Sequence, residues 1–141
     1  GIAGFAIASK LANENLKNNF IKLNELSNKL KKAIFLNINN VKILCNDSDQ
    51  IPGFISLKLS GVNANDLLIK LDIDGFGIST GAACSSGVNK TSSVLKAIGL
   101  DAKSASSVIR ISLGKYTKET DLISFVDSLS KNVKIIRNEK K

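Results

Sequence analysis

The stretch GISTGAACSSGVNK, Gly77 to Lys90, sets Cys84 among Gly, Ala, Ser and Thr with almost nothing bulky beside it. A cysteine used as core filler has apolar neighbours, among which it behaves as a small hydrophobe with a weak donor. Cys84 has none nearby in sequence, and Gly81, Ala82, Ala83, Ser85, Ser86 and Gly87 offer little steric resistance to backbone motion. A thiol carried there could swing over several ångströms. It would also stay reachable as the thiolate, the form that acts as a nucleophile. The same composition also makes an ordinary turn that happens to contain a cysteine, and taken alone it leaves both readings open.

A second candidate is Arg110, in SSVIRISLG, Ser106 to Gly114. A guanidinium fork binds a carboxylate through two parallel charge-assisted bonds. By position, Arg110 is equally well an arginine on the wet face of an ordinary strand. Cys45 ends an apolar run on the same face as Val41 and Ile43, and is read as partly buried filler. With two cysteines and no histidine, the chain has too few soft ligands for a zinc or iron-sulfur site, and no Cys-His dyad can form within it.

Composition narrows the function classes. The 141 residues, 43% of them hydrophobic, suffice for one domain with a real core. The net charge of +8 invites an anionic partner. Yet the lysines and arginines are scattered over helix faces and a tail, and 5% aromatics cannot build a base-stacking surface. Nucleic acid is therefore not the expected partner. No segment reads as a signal peptide and no apolar run approaches the ~18 residues needed to span a membrane. The expected setting is the reducing cytoplasm, with both thiols free. The chain has no Met and opens on Gly1, so it is expected to be a piece of a longer protein whose beginning lies upstream.

The elements that must position these residues follow from periodicity. Leu16, Phe20, Leu23, Leu30 and Ile34 recur on one stripe of a long helix, ended by Asn37 to Asn40. Gly1 to Ala12 is also expected to be helical, with a break at Asn13 to Asn15. Val41 to Cys45 reads as a strand, and Phe54 to Ser60 as another, alternating Ile55, Leu57, Leu59 with Ser56, Lys58, Ser60. Asn63 and Asp66 start a helix through LLIKL. Phe76 to Ser79 is expected to be a strand leading into the Cys84 loop, and Thr91 to Ile98 a short helix closed by Gly99. In the strand within Ser106 to Gly114, Ile109, Ile111 and Leu113 share one face, and Val108, Arg110 and Ser112 the other. Thr117 is expected to cap a last helix whose stripe is Leu122, Phe125, Val126, Leu129 and Val133, before a charged end that frays. Helices flank several short strands without strand-helix alternation. The fold class is α+β, a small, largely antiparallel sheet packed against helices.

Three blocks, STGAACSSG, VLKAIGL and SSVIRISLGKYTKETDLISFV, with VNANDLLIKLDIDGFGIS before them, resemble in order and spacing the C-terminal part of the pyridoxal phosphate dependent cysteine desulfurases. This is the NifS and IscS group of the class-V aminotransferases. The likeness extends more weakly into the first helix and so covers nearly the whole chain. Cys followed by Ser-Ser-Gly fits the long-loop group better than the SufS-like one, whose cysteine lies in a His-containing setting.

The resemblance implies a fold type I enzyme of which residues 1–141 are the C-terminal small domain. Its start, about 1–12, could belong to the interdomain helix. It further implies removal of sulfur from L-cysteine to give L-alanine, with Cys84 as acceptor and carrier of the persulfide and Arg110, in R-x-S-x-G, as partner of the substrate carboxylate. The sulfur would pass to an iron-sulfur scaffold or another acceptor protein, including for thio-modification, and the full-length enzyme would be a homodimer. Pyridoxal 5'-phosphate would be bound mainly by a large domain that supplies the Schiff-base lysine, the ring-stacking histidine and most phosphate ligands. No residue of this chain matches those, so the chain alone is expected to be inactive. A histidine often found shortly after the loop is absent from NKTSSVLKAIG. A sulfur-carrier module would also need a mobile cysteine, and a non-catalytic interaction domain would need only the basic surface.

Overall fold

The alternation of Ile55, Leu57 and Leu59 with Ser56 and Lys58 gives strand β2 (Phe54–Leu59) one apolar face, and all three apolar residues are buried. In this computed structural model, which describes residues 1–81 and 92–139, β2 is a central strand. It pairs antiparallel with β1 (Val41–Ile43) and with β4 (Val108–Ser112), and β4 pairs antiparallel with β3 (Ser79–Thr80). The order β1-β2-β4-β3 makes an antiparallel sheet with helices packed on it, the α+β class expected.

Three helices cover the apolar face: α1 (Ile2–Asn37), α2 (Ala64–Ile73) and α5 (Glu119–Asn138). Leu30 and Ile34 of α1, Leu67 and Leu71 of α2, and Leu129 and Val133 of α5 close over Ile55, Leu57, Leu59 and Ile109 in one core. Asn63 caps α2 as its spacing implies, its Oδ1 accepting from the backbone N–H of Asn65 (2.9 Å) and Asp66 (3.5 Å). The stripe of α5 is buried as expected, and Asn132 is buried with it.

The opposite face is half covered. Two short helices, α3 (Ser93–Ala97) and α4 (Ala102–Ala105), lie there, and Leu95 and Ala105 form a small second core with Leu44 and Val108. Gly99 closes α3 at φ +84, as expected, while α4, capped by Asp101 accepting from Ser104 N–H at 2.7 Å, has no apolar period to announce it. Val108 is thus buried although it lies on the face assigned to solvent.

Several boundaries differ. Asn13 to Asn15 does not break α1: the Asn15 side chain donates to Leu11 O (2.8 Å), and good helix formers on both sides outweigh a small propensity cost. Only part of the expected stripe is covered, since Leu30 and Ile34 are buried while Leu16 and Phe20 are exposed. The first strand stops at Ile43, and Cys45 turns the chain with φ +54 and is exposed, so it is not core filler. Phe76 and Ile78 pack against the core, Phe76 edge-on to Phe125 with ring centroids 5.5 Å apart, and sheet pairing begins only at Ser79. Thr117 accepts from Gly114 N–H (3.0 Å), and the N-cap of α5 is Lys118, whose N–H donates to Asp121 (2.9 Å). At the end expected to fray, Arg137 donates to Ser60 O (3.0 Å) and Glu139 pairs with Lys70 (3.5 Å).

Candidate active site

Arg110 sits in the middle of β4, on the sheet face turned away from the main core, as the alternation requires. Its register partners are Ser56 of β2 on one side and Ser79 of β3 on the other. Paired residues of an antiparallel sheet share a face, so two small hydroxyl residues flank the guanidinium-bearing position. The arginine is half-buried and, among the described residues, makes no ion pair. A permanently charged fork without a carboxylate, between neighbours too small to cover it, can accept an anion from outside this set of residues.

Cys84 lies outside the described residues. The structure does define where its segment leaves and returns. The chain departs at Gly81, whose N–H donates to Val108 O (3.4 Å), with a φ of +47 that favours glycine. It returns at Ser92, whose hydroxyl caps α3 by accepting from Leu95 N–H (3.4 Å). Leu95 then packs on Val108 and Leu44. The departure is thus tied to the backbone of β4, and the return packs on the face that carries Arg110.

Cys45 is the other cysteine of the chain. It is a free, exposed thiol at the edge of an apolar groove of about 330 Å³ that Phe54, Ser56, Val94 and Ile98 help to line. Among the described residues, no hydrogen bond pairs it with a base. Sequence reasoning found Arg110 but not its flanking Ser56 and Ser79. Their small polar character was visible in the alternation, but their adjacency comes from long-range register.

The described residues do not by themselves make a pyridoxal phosphate site. The direct register partners of Arg110, Ser56 and Ser79, have no amine, and the amine of Lys58, two residues along β2 on the same face, is held by Ser104 Oγ at 3.0 Å. Nor do the described residues contain a group of three or more His, Cys, Asp or Glu placed to hold a metal ion.

The class-V aminotransferase family model matches residues 1–125 of this chain. The IscS-like cysteine desulfurase of Mycobacterium tuberculosis is 33% identical over 127 residues, covering 89% of this chain and 32% of that protein. Cysteine desulfurase IscS of Clostridium botulinum is 34% identical over 136 residues, covering 95% of this chain and 34% of its own length. Among solved structures, a NifS-like protein from Rickettsia africae superposes with a TM-score of 0.82 at 28% identity, over 93% of this chain and 33% of that one. The chain spans about a third of the length of the curated relatives it matches.

Proposed function

The chain belongs to the class-V aminotransferase family, and from that premise we propose that it is the C-terminal small domain of a pyridoxal phosphate dependent cysteine desulfurase. The observation that carries the reading is Arg110, an unpaired guanidinium among the described residues, in register with Ser79 just before the Cys84 segment departs. Relatives named cysteine desulfurase along most of the chain support it.

In this reading Arg110 holds the carboxylate of L-cysteine by two parallel bonds and so fixes the substrate's orientation. The Cys84 thiolate attacks the substrate sulfur. The sulfur–carbon bond breaks and a sulfur–sulfur bond forms on Cys84. The bonding pair stays with the substrate carbon, which takes up a proton, so the products are L-alanine and a Cys84 persulfide. Pyridoxal phosphate, held by the part of the protein outside this chain, supplies the electron sink for that carbon skeleton. Cys84 then surrenders the sulfur to an iron-sulfur scaffold or another acceptor protein, and the complete enzyme is a cytoplasmic homodimer. No helix among the described residues is long and apolar enough to cross a membrane.

The beginning of α1 fits a place between domains. Ile2, Phe5 and Ile7 are 90%, 76% and 62% exposed although residues 2–12 are apolar on nearly every side. A helix of that composition is normally enclosed. We assign residues 1–12 to a helix that packs against the large domain.

The test is mass spectrometry of the complete protein after incubation with L-cysteine. A gain of one sulfur on the peptide bearing Cys84 is expected, with alanine released in step. Alanine formation without sulfur on Cys84 would reject the assignment.

A further inference from the structure

Lys42 of β1 and Lys58 of β2 stand directly opposite each other in the antiparallel register, on the sheet face that carries Arg110. Like charges so placed repel and weaken the strand pair. Among the described residues neither lysine has a carboxylate within ion-pair distance. Asp101 is near enough to feel the Lys58 charge but not to pair with it, so the positive potential of this corner is only partly offset.

Lys58, half-buried, borders a cavity of about 270 Å³ that it lines with Lys103, Ser104, Ser106, Ser107 and Asn63, and among the described residues no carboxylate lines it. The Lys58 ammonium donates to Ser104 Oγ at 3.0 Å, which holds it at the wall and leaves two of its three protons free. The hydroxyls of Ser106 and Ser107 donate to Lys103 O (2.8 Å) and Ser104 O (2.7 Å), so both keep lone pairs for a ligand. Asp101 is engaged with Ser104 as the cap of α4 and does not line the cavity. The wall therefore combines ammonium donors with hydroxyl acceptors. That set matches a partly protonated phosphate, which carries negative oxygens and an O–H, better than it matches a bare halide. The volume is at the small end of ligand cavities, which suits a phosphate group and little beyond it.

We propose that the cavity between Lys58 and Lys103 binds a phosphate group, free or as the phosphoryl end of a small molecule. Lys58 is two residues from Ser56 on the same face of β2, and Ser56 is the register partner of Arg110. Lys58 itself stands roughly 7 Å along β2 from the level of Arg110.

The experiment is calorimetric titration of the complete protein with inorganic phosphate at constant ionic strength, with adenosine monophosphate as a second probe. Lys103→Gln, an exposed position where the fold is not at risk, should weaken one phosphate site by about tenfold or more, as should Lys58→Gln. Lys134→Gln, an exposed lysine of α5, should change nothing. If adenosine monophosphate competes at the site removed by Lys103→Gln, the ligand is a carried phosphoryl group; if only inorganic phosphate is lost there, it is the free anion. Phosphate binding untouched by Lys103→Gln, or weakened equally by Lys134→Gln, would overturn the proposal.

Discussion

Arg110 of β4 and Ser79 of β3 are direct register partners, and Ser79 lies two residues before Gly81, where the Cys84 segment departs. One antiparallel pairing thus ties the strand carrying the guanidinium to the start of the segment carrying the thiol. Ser79 is small enough to leave the guanidinium open. The pairing is short, two residues on the β3 side, and is reinforced by Phe76 and Ile78 packing into the core just before it.

Arg110→Lys in the complete enzyme should raise the KM for L-cysteine by about tenfold or more. Lysine keeps the charge but loses the planar fork, so a two-bond carboxylate contact becomes one. Arg110 is half-buried without an ion pair among the described residues, so the melting temperature should barely move. Steady-state kinetics beside thermal unfolding checks both; unchanged KM would leave Arg110 a surface arginine.

Cys84→Ser should still bind L-cysteine, because the carboxylate contact does not involve the thiol. Sulfur release should stop, since a hydroxyl of far higher pKa with little affinity for divalent sulfur cannot accept the atom. Rapid-mixing absorbance should show substrate binding while alanine assays read background. Alanine at the unsubstituted rate without added thiol would remove Cys84 from the mechanism.

Cys45 gives a contrasting expectation. Its φ of +54 lies in the left-handed region, and its side chain is exposed, so little packing is lost by truncation. Cys45→Asn or Cys45→Gly should be neutral or slightly stabilising, whereas the β-branched Cys45→Val should cost about 1–2 kcal/mol. Denaturant unfolding measures this, and sulfur transfer should be unaffected by all three.

Asp74 follows the last residue of α2, where its carboxylate accepts from Ser128 Oγ (2.6 Å) and Asn132 Nδ2 (2.8 Å) of α5. These bonds, Ser128 first, hold its pKa below the ordinary carboxylate value. A depressed folded pKa means stability that is present above the unfolded value, about 3.9, and lost as pH falls through the native one. Asp74→Ala should therefore lower the melting temperature at neutral pH, and its deficit should shrink at pH below about 4. A deficit independent of pH would show that the carboxylate's charge contributes nothing to docking α2 on α5.

The class of fold, the interior of β2, the cap at Asn63, the buried stripe of α5 and the candidacy of Cys84 and Arg110 were legible in the sequence. Each of these is written in local chemistry: a two-residue or 3.6-residue apolar period, a capping side chain, or a motif with its own spacing. Tertiary structure decided what local chemistry cannot encode. Asn13 to Asn15 reads as a break, yet α1 runs through it because a few tenths of a kcal/mol of propensity do not stop a 36-residue helix. Cys45 reads as strand filler, yet the turn between β1 and β2 rotates it into solvent. Val108 reads as wet, yet α3 and α4 fold back over it. The opposition of Lys42 to Lys58, and of Arg110 to Ser56 and Ser79, depends on which strands meet and in what register. Register is selected by the burial of one whole sheet face at once, a condition that no single stretch of the chain contains.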